Sequence, residues 1–331
     1  MFRYRLALLL LVPLAGCLDE APHSNPFDPD SDRYTAEGVV AGAVTGIYPP
    51  YEGRAGVRVW VMPLDGGVER IATTEADGTF TVDAVPAGTY LVRAVGDGLR
   101  AVEDTVEVRV GLTAEVEFRA DALPIILSQA ARTVHIERWF PEAPLFQLEV
   151  EAIVTDPDEP RDIASVELVV DDVGFRRPLA QVAPGHYQFG FNAESLPGGQ
   201  VQAFLGRPIR LEVTDVNGNV GRGEAMTLVR VIDDTPLTAS PQARDTVSVN
   251  PPVLEWRPAD VQFPFTYRVE VYLVDGAGAS TRIVNVTGID PSMTSYTLGQ
   301  PLTQGDYFWT VWIVDASGNR SRSKTAGFRV L

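Results

Sequence analysis

Phe146-Gln147-Leu148-Glu149-Val150-Glu151-Ala152-Ile153-Val154 places an apolar residue at every second position, with Gln147, Glu149 and Glu151 between them. Successive side chains of a strand point to opposite faces, so this order buries one face and wets the other. A helix would need its apolar residues three and four apart. The same period recurs outward along the chain in Val57, Val59 and Val61, in Val106, Val108 and Val110, and in Val166, Leu168 and Val170. Tyr267, Val269, Val271 and Leu273 repeat it near the C-terminus. Turn residues interrupt these runs at roughly eight- to twelve-residue intervals, the spacing of short strands in sandwiches. No segment beyond the N-terminal region carries a long stripe of helical period, and the fold class is read as all-β.

An internal echo divides the body into three tandem β-sandwich domains. Gly88-Thr89-Tyr90, Gly185-His186-Tyr187 and Gly305-Asp306-Tyr307 each follow a turn-rich stretch and open an alternating strand. A tyrosine so placed can bury its ring while its hydroxyl bonds back to the preceding corner. The spacing of about a hundred residues is that of one sandwich per triplet. Breaks near Ala122–Pro124 and Asp233–Pro236 place the domains at 38–121, 122–233 and 234–331.

In the first of these, Thr74-Glu75-Ala76-Asp77-Gly78-Thr79-Phe80-Thr81-Val82 leads into Val85-Pro86-Ala87-Gly88-Thr89-Tyr90-Leu91-Val92. Asp77-Gly78 is a tight hairpin signal. The stretch resembles the carboxypeptidase regulatory-like domain, a small transthyretin-like sandwich, and the resemblance implies a domain that accompanies other functions without catalysing a reaction. The second domain, with Val150 to Asp156 early and Leu211-Glu212-Val213-Thr214-Asp215-Val216-Asn217-Gly218-Asn219 late, resembles a bacterial immunoglobulin-like domain. The third resembles fibronectin type III, with Trp256 on an early strand and Leu302 to Tyr307 at a tyrosine corner. Asp315-Ala316-Ser317-Gly318-Asn319 repeats the turn chemistry of Asp215 to Asn219.

The N-terminus carries a different pattern. Arg3 and Arg5 precede an apolar run from Leu6 to Leu14 and then small residues, the parts of an export signal. The run falls short of the roughly 20 residues that a spanning helix needs. Leu14-Ala15-Gly16-Cys17 resembles the lipobox of bacterial lipoproteins. That resemblance implies removal of residues 1–16 as a signal peptide and acylation of Cys17, the chain's only cysteine. A lipid bilayer is then the first partner, and residues 17–37, rich in Pro, Asp and Ser, form an acylated tether. In enterobacterial lipoproteins an aspartate directly after the cysteine marks inner-membrane retention. Leu18 stands there instead, so the outer membrane of the cell envelope is the expected address.

The formal net charge of −17 becomes −19 on loss of Arg3 and Arg5 and repels nucleic acid. His23, His135 and His186 stand in no metalloprotease, hydrolase or zinc pattern, so no catalysis and no cofactor is expected. The expected role is a non-catalytic scaffold that contacts another envelope protein. The alternative is polysaccharide binding through exposed aromatic rings, for which Trp139, Trp309 and Trp312 are the candidates. Trp309 and Trp312, an odd number of residues apart, face opposite sides of one regular strand, which sends one of them outward unless a bulge or a neighbouring domain covers it, and packing at a domain interface is the other reading of that ring. Asp156, Asp158, Asp162 and Asp215 are weak calcium candidates should they meet at one pole of a sandwich.

Overall fold

The computed structural model describes Ser31 and residues 36–331. Leu14, Ala15, Gly16, Cys17 and nearly all of the 17–37 tether lie outside the described residues. Contacts divide the chain into two compact units, with the division between Asp121 and Ala122. No helix among the described residues is long and apolar enough to cross a membrane.

The first unit is built from β1 (Glu37–Gly46), β2 (Arg58–Pro63), β3 (Arg70–Thr73), β4 (Thr79–Pro86), β5 (Gly88–Val95), β6 (Val102–Val108) and β7 (Thr113–Ala120). They pair as two sheets, β4-β1-β7 and β3-β2-β5-β6. Their facing sides enclose Val40, Val59, Val61, Phe80, Val82 and Phe118. At the hairpin before β4, Asp77 Oδ1 accepts the Thr79 backbone N–H at 3.0 Å and its hydroxyl at 2.7 Å. Gly78 follows at φ +82°, and a Cβ there would lie 2.4 Å from the Val44 carbonyl oxygen, so glycine is required. The chain then crosses from one sheet to the other between β4 and β5, and the Tyr90 hydroxyl donates back across that corner to the Pro86 carbonyl at 2.9 Å.

The second unit begins with β8 (Ile125–Ile136), β9 (Leu145–Thr155), β10 (Ile163–Val170), β11 (Phe175–Pro178), β12 (Ala180–Ala183), β13 (His186–Asn192), β14 (Pro208–Asp215), β15 (Val220–Arg222) and β16 (Met226–Thr227). It continues with β17 (Leu237–Ser240), β18 (Asp245–Val247), β19 (Val253–Arg257), β20 (Phe265–Val274), β21 (Ser280–Ile289), β22 (Ser295–Thr297), β23 (Gly305–Asp315), β24 (Arg320–Arg322) and β25 (Ala326–Val330). Two apolar clusters lie inside. One gathers Leu148, Val150, Leu168, Phe204 and Leu211. The other gathers Trp256, Tyr267, Trp309, Ile313 and Phe328, with Trp256 edge-on to Tyr267 at 5.2 Å.

These two clusters share a sheet. Its path runs β12-β13-β9-β8-β24-β23-β20-β21, because β8 lies parallel to β24 with Val134 beside Arg320, His135 beside Ser321 and Ile136 beside Arg322. The segment linking the clusters is strapped to the inner side of that seam. The Thr133 hydroxyl lies 3.0 Å from the Arg230 carbonyl, the His135 imidazole 3.1 Å from that of Ile232, and the Ser321 hydroxyl 2.7 Å from that of Asp234. Asn319 completes the seam by accepting the buried Thr133 backbone N–H at 2.9 Å. Residues 122–233 and 234–331 thus each have a core, but the sheet between them is continuous.

The three tyrosine triplets do not behave alike. Tyr307 bonds back to the Thr303 carbonyl at 2.7 Å as Tyr90 does to Pro86. Tyr187 buries its ring, but its hydroxyl makes no such bond among the described residues. The reason is topological. β4 to β5 and β22 to β23 pass between sheets, whereas β12 and β13 are hairpin neighbours in one sheet, so no corner lies under Tyr187.

Candidate functional site

The connection from β8 to β9 projects the most exposed large apolar side chain among the described residues, Phe140, at 91%. Trp139 beside it is 66% exposed. Both follow from how the seam ends. Along the margin of β24 and β25, which both pair with β23, β8 covers residues 320–322 and β18 covers 328–330, leaving a stretch with Ser323 to Thr325 between them. The Glu137 backbone N–H reaches the Arg322 carbonyl at 3.0 Å, and the Trp139 indole N–H reaches that of Thr325 at 2.8 Å. Trp139 is therefore a latch over the gap, with its ring left outside.

Arg138 folds back on the same loop and donates to the Ala143 carbonyl at 2.7 Å. Lys324, the chain's only lysine, holds its ammonium 4.8 Å from the centre of the Trp139 ring, within cation–π range. The result is a pre-shaped tip with two aromatic rings and cationic groups. Pre-shaping matters because a loop that is already ordered loses less entropy when it binds.

The other two candidate tryptophans are not platforms. Trp309 is fully buried, and its indole N–H donates to the Pro241 carbonyl at 2.8 Å. Trp312 does face outward from the sheet as its parity requires, but only 7% of it is exposed. Arg268, Arg320 and Arg322 lie over its ring at 5.7, 5.7 and 5.5 Å. Its indole N–H donates to Glu270 Oε2 at 2.8 Å. Glu270 also accepts from Arg282 at 2.8 Å, from the Tyr272 hydroxyl at 3.1 Å, and from Arg268. Burial alone would push this carboxyl up. The Trp312 N–H and the guanidinium groups of Arg268 and Arg282 outweigh burial and hold it below its ordinary value. Burial also pushes the Arg322 guanidinium down. The alternation rule names the face a side chain takes, and long arginine stems then cover it.

Asp215, Asp156 and Asp158 hold backbone groups. Asp215 Oδ1 accepts the backbone N–H groups of Asn217 and Asn219 at 2.9 and 2.8 Å, while Oδ2 takes the Asn219 amide at 2.7 Å. Asp156 Oδ1 accepts the Asp158 N–H at 2.9 Å, and Asp158 Oδ2 accepts that of Ala122 at 2.6 Å. Asp162 is buried. Among the described residues no group of three or more His, Cys, Asp or Glu side chains is placed to hold a metal ion. His135 stacks on Phe146 at 4.2 Å inside the seam with its Nδ1 3.1 Å from the Ile232 carbonyl, and His186 pairs with Glu151 at 2.9 Å.

Phe140 was absent from the sequence candidates. Its signal was legible, since Trp139-Phe140-Pro141 puts two large aromatic residues together where the strand alternation has stopped.

Residues 38–121 match the carboxypeptidase regulatory-like domain family. The match spans nearly all of the described part of the first unit. Among solved structures, BcpA, the major pilin subunit of Bacillus cereus, is 11% identical over 89% of this chain and 98% of its own, with a TM-score of 0.30. The chicken CNTN1 FN1-FN3 domains are 12% identical over 84% of this chain and 92% of theirs, at 0.32. A putative carbohydrate binding protein from Bacteroides uniformis is 12% identical over 58% of this chain and 98% of its own, at 0.25. No residue role passes from these proteins to this chain. Comparison with curated protein sequences finds no match.

Proposed function

We propose that this chain is a non-catalytic scaffold of the bacterial cell envelope, anchored by lipid on Cys17 at the outer membrane, that makes its outward contact through the Trp139–Phe140 tip. The tip carries the reading. Phe140 has no polar atom with which to hold a sugar hydroxyl, and the Trp139 N–H is already given to Thr325. Of the three rings that a polysaccharide site could have used, Trp309 and Trp312 are covered. An apolar pair rimmed by Arg138 and Lys324 suits a protein surface, where aromatic anchors carry most of the binding energy.

The anchor is tested by metabolic labelling with a clickable fatty acid followed by membrane fractionation. Label on the wild type, with loss of label and release of protein in Cys17→Ser, is the expected result, and an unmodified Cys17 thiol in the exported protein would overturn it. The contact is tested with an amine-reactive crosslinker, because Lys324 supplies the only lysine amine and lies at the tip. A defined protein adduct that falls several-fold in Phe140→Ser supports the reading. Saturable binding on a glycan array that is lost in Trp139→Ala would replace it with sugar recognition.

A further inference from the structure

We propose that the outer face of the last strands carries a second contact site, a slot over Gly327 that takes an aromatic side chain flanked by a carboxylate on a partner protein. No residue of the Trp139–Phe140 tip lines it. Its frame is a row of cross-strand neighbours. Tyr272 on β20 lies opposite Phe308 on β23, Phe308 lies opposite Gly327 on β25, and the Arg244 backbone N–H, just before β18, reaches the Gly327 carbonyl at 3.0 Å. Tyr272 and Phe308 stack with ring centres 4.7 Å apart and planes 8° from parallel. Tyr272 thus covers one face of the Phe308 ring, and at the next place in the row there is no side chain. Nothing in the backbone asks for glycine there. Gly327 lies outside the left-handed region, and a Cβ would meet nothing nearer than the Tyr307 carbonyl oxygen at 3.8 Å, an ordinary contact. A glycine inside a strand weakens it and often marks a place where another group comes close. Here it belongs to a cavity of about 630 Å³, lined also by Arg244, Thr246, Asp306, Phe308 and Arg329.

Width and charge decide the occupant. Neighbouring strands lie about 4.8 Å apart, so the row places Phe308 and Arg244 roughly 10 Å from each other across β25. A ring set midway is about 5 Å from each, within the roughly 4.5–7 Å of aromatic pairs and the roughly 6 Å of cation–π contacts. One flat ring therefore continues the stack. The wall opposite Phe308 is set by strained backbone, since Ala243 and Arg244 take φ of +50° and +68°, a region that L side chains seldom enter. Arg329 forks onto Asp306 at 2.6 and 2.7 Å, whereas Arg244 stands in no ion pair among the described residues. Arg329 holds the Asp306 carboxyl below its ordinary value, and Arg244 adds to the pull. Asp245 and Asp275 do not line the cavity. Their carboxylates accept the backbone N–H groups of Gln242 and of Ala277 and Ala279. Lys324, close by in the chain, sits over the Trp139 ring and adds positive charge. Two guanidinium groups against one carboxylate make the slot positive on a chain of net charge −17, and such a spot draws an anion. A guanidinium stacks on a ring by its face and pairs with a carboxylate by its edge, so Arg244 can take both groups at once. Among the described residues β18 pairs only with β25, which leaves its other edge open to the polypeptide that carries the ring.

Amide shifts of the mature full chain carrying Cys17→Ser, which leaves no site for the lipid, test this during titration with a short peptide, blocked at both ends, that holds phenylalanine next to aspartate. The amides of Gly327 and Arg244 should shift and saturate. Leucine in place of the peptide's phenylalanine, or asparagine in place of its aspartate, should weaken binding several-fold. Gly327→Val fills the slot and should abolish binding while its thermal midpoint stays equal to or above that of the parent, because the added atoms enter open space. Arg244→Gln should weaken binding several-fold, and Phe140→Ser should leave it unchanged. A leucine peptide that binds as well as the phenylalanine peptide overturns the proposal. So does a fall in midpoint for both Gly327→Val and Gly327→Ala, which would make the glycine structural. Free phenylacetate that binds as tightly as the peptide overturns the assignment of the ring to a protein. Peptide binding that is lost in Phe140→Ser overturns the slot in favour of the tip.

Discussion

Trp309 and Trp312 stand on opposite faces of β23, and both are withdrawn from water by different means. Trp309 lies between two sheets, among Tyr267, Ile313 and Phe328, where exclusion of water comes from apolar layers. Trp312 is covered from its own sheet, by Arg268, which Glu270 holds, by Arg320, which Glu149 holds, and by Arg322. Burial of the first kind is insensitive to charge, whereas burial of the second kind exists only while the carboxylates are ionised and the arginines are paired.

The largest effect should come from the inner face. Trp309→Ala leaves a cavity and strands the Pro241 carbonyl, and is expected to cost about 3–5 kcal/mol in urea unfolding. That loss should be the same at pH 7 and at pH 3, because the indole N–H is given to the Pro241 carbonyl, which does not titrate. An equal loss for Trp312→Ala at both pH values would erase the distinction between the faces.

Glu270→Gln comes next, at about 3 kcal/mol, since the arginines lose their counter-charge while the amide keeps one acceptor. The Glu270 carboxyl is held below its ordinary value in the folded chain. Its contribution is therefore complete above the unfolded glutamate value, near 4.3, and is lost as pH falls through the lower folded value. Wild-type stability should drop across that acid window, and the drop should be shallower in Glu270→Gln. Parallel stability-against-pH curves for the two proteins would show that the outer cover does not depend on this charge.

The seam between the two cores of the second unit is the intermediate case. Asn319→Ala removes the acceptor of the buried Thr133 N–H, at an expected cost of about 2 kcal/mol. Amide exchange should quicken at Thr133 and Ser321, on the two seam strands, more than at Leu148, which sits in a core. Uniform quickening would mean that the shared sheet opens as one with the cores.

Much of this was legible from local sequence, and the remainder divides along a physical line. Asp77-Gly78 specifies its hairpin because the Asp carboxylate and the glycine φ act within a few residues. The alternation of Phe146 to Val154 specifies a strand and its inner face for the same reason. The Tyr187 triplet misled because a tyrosine corner depends on a crossing between sheets, which the triplet itself does not encode. The parallel pairing of β8 with β24 joins His135 to Ser321 through backbone groups that every residue has, so no side-chain pattern announced it. The alternation named the face of Trp312 and left open whether that face is covered, because its cover comes from Arg268 on one neighbouring strand and Arg320 and Arg322 on another.

The smallest effect on stability should be at Phe140, and its smallness sharpens the comparison. A large apolar side chain that is 91% exposed contributes almost no burial, so Phe140→Ser should shift unfolding by no more than about 0.5 kcal/mol. Trp139→Ala should cost more, about 1 kcal/mol, because it frees the Thr325 carbonyl that the indole N–H occupies. A tip whose outermost residue can be removed without penalty to the fold, while its neighbour cannot, separates a contact role from a structural one within two adjacent positions. Equal destabilisation by both substitutions would mean that Phe140 packs against the molecule in solution and is not presented to a partner.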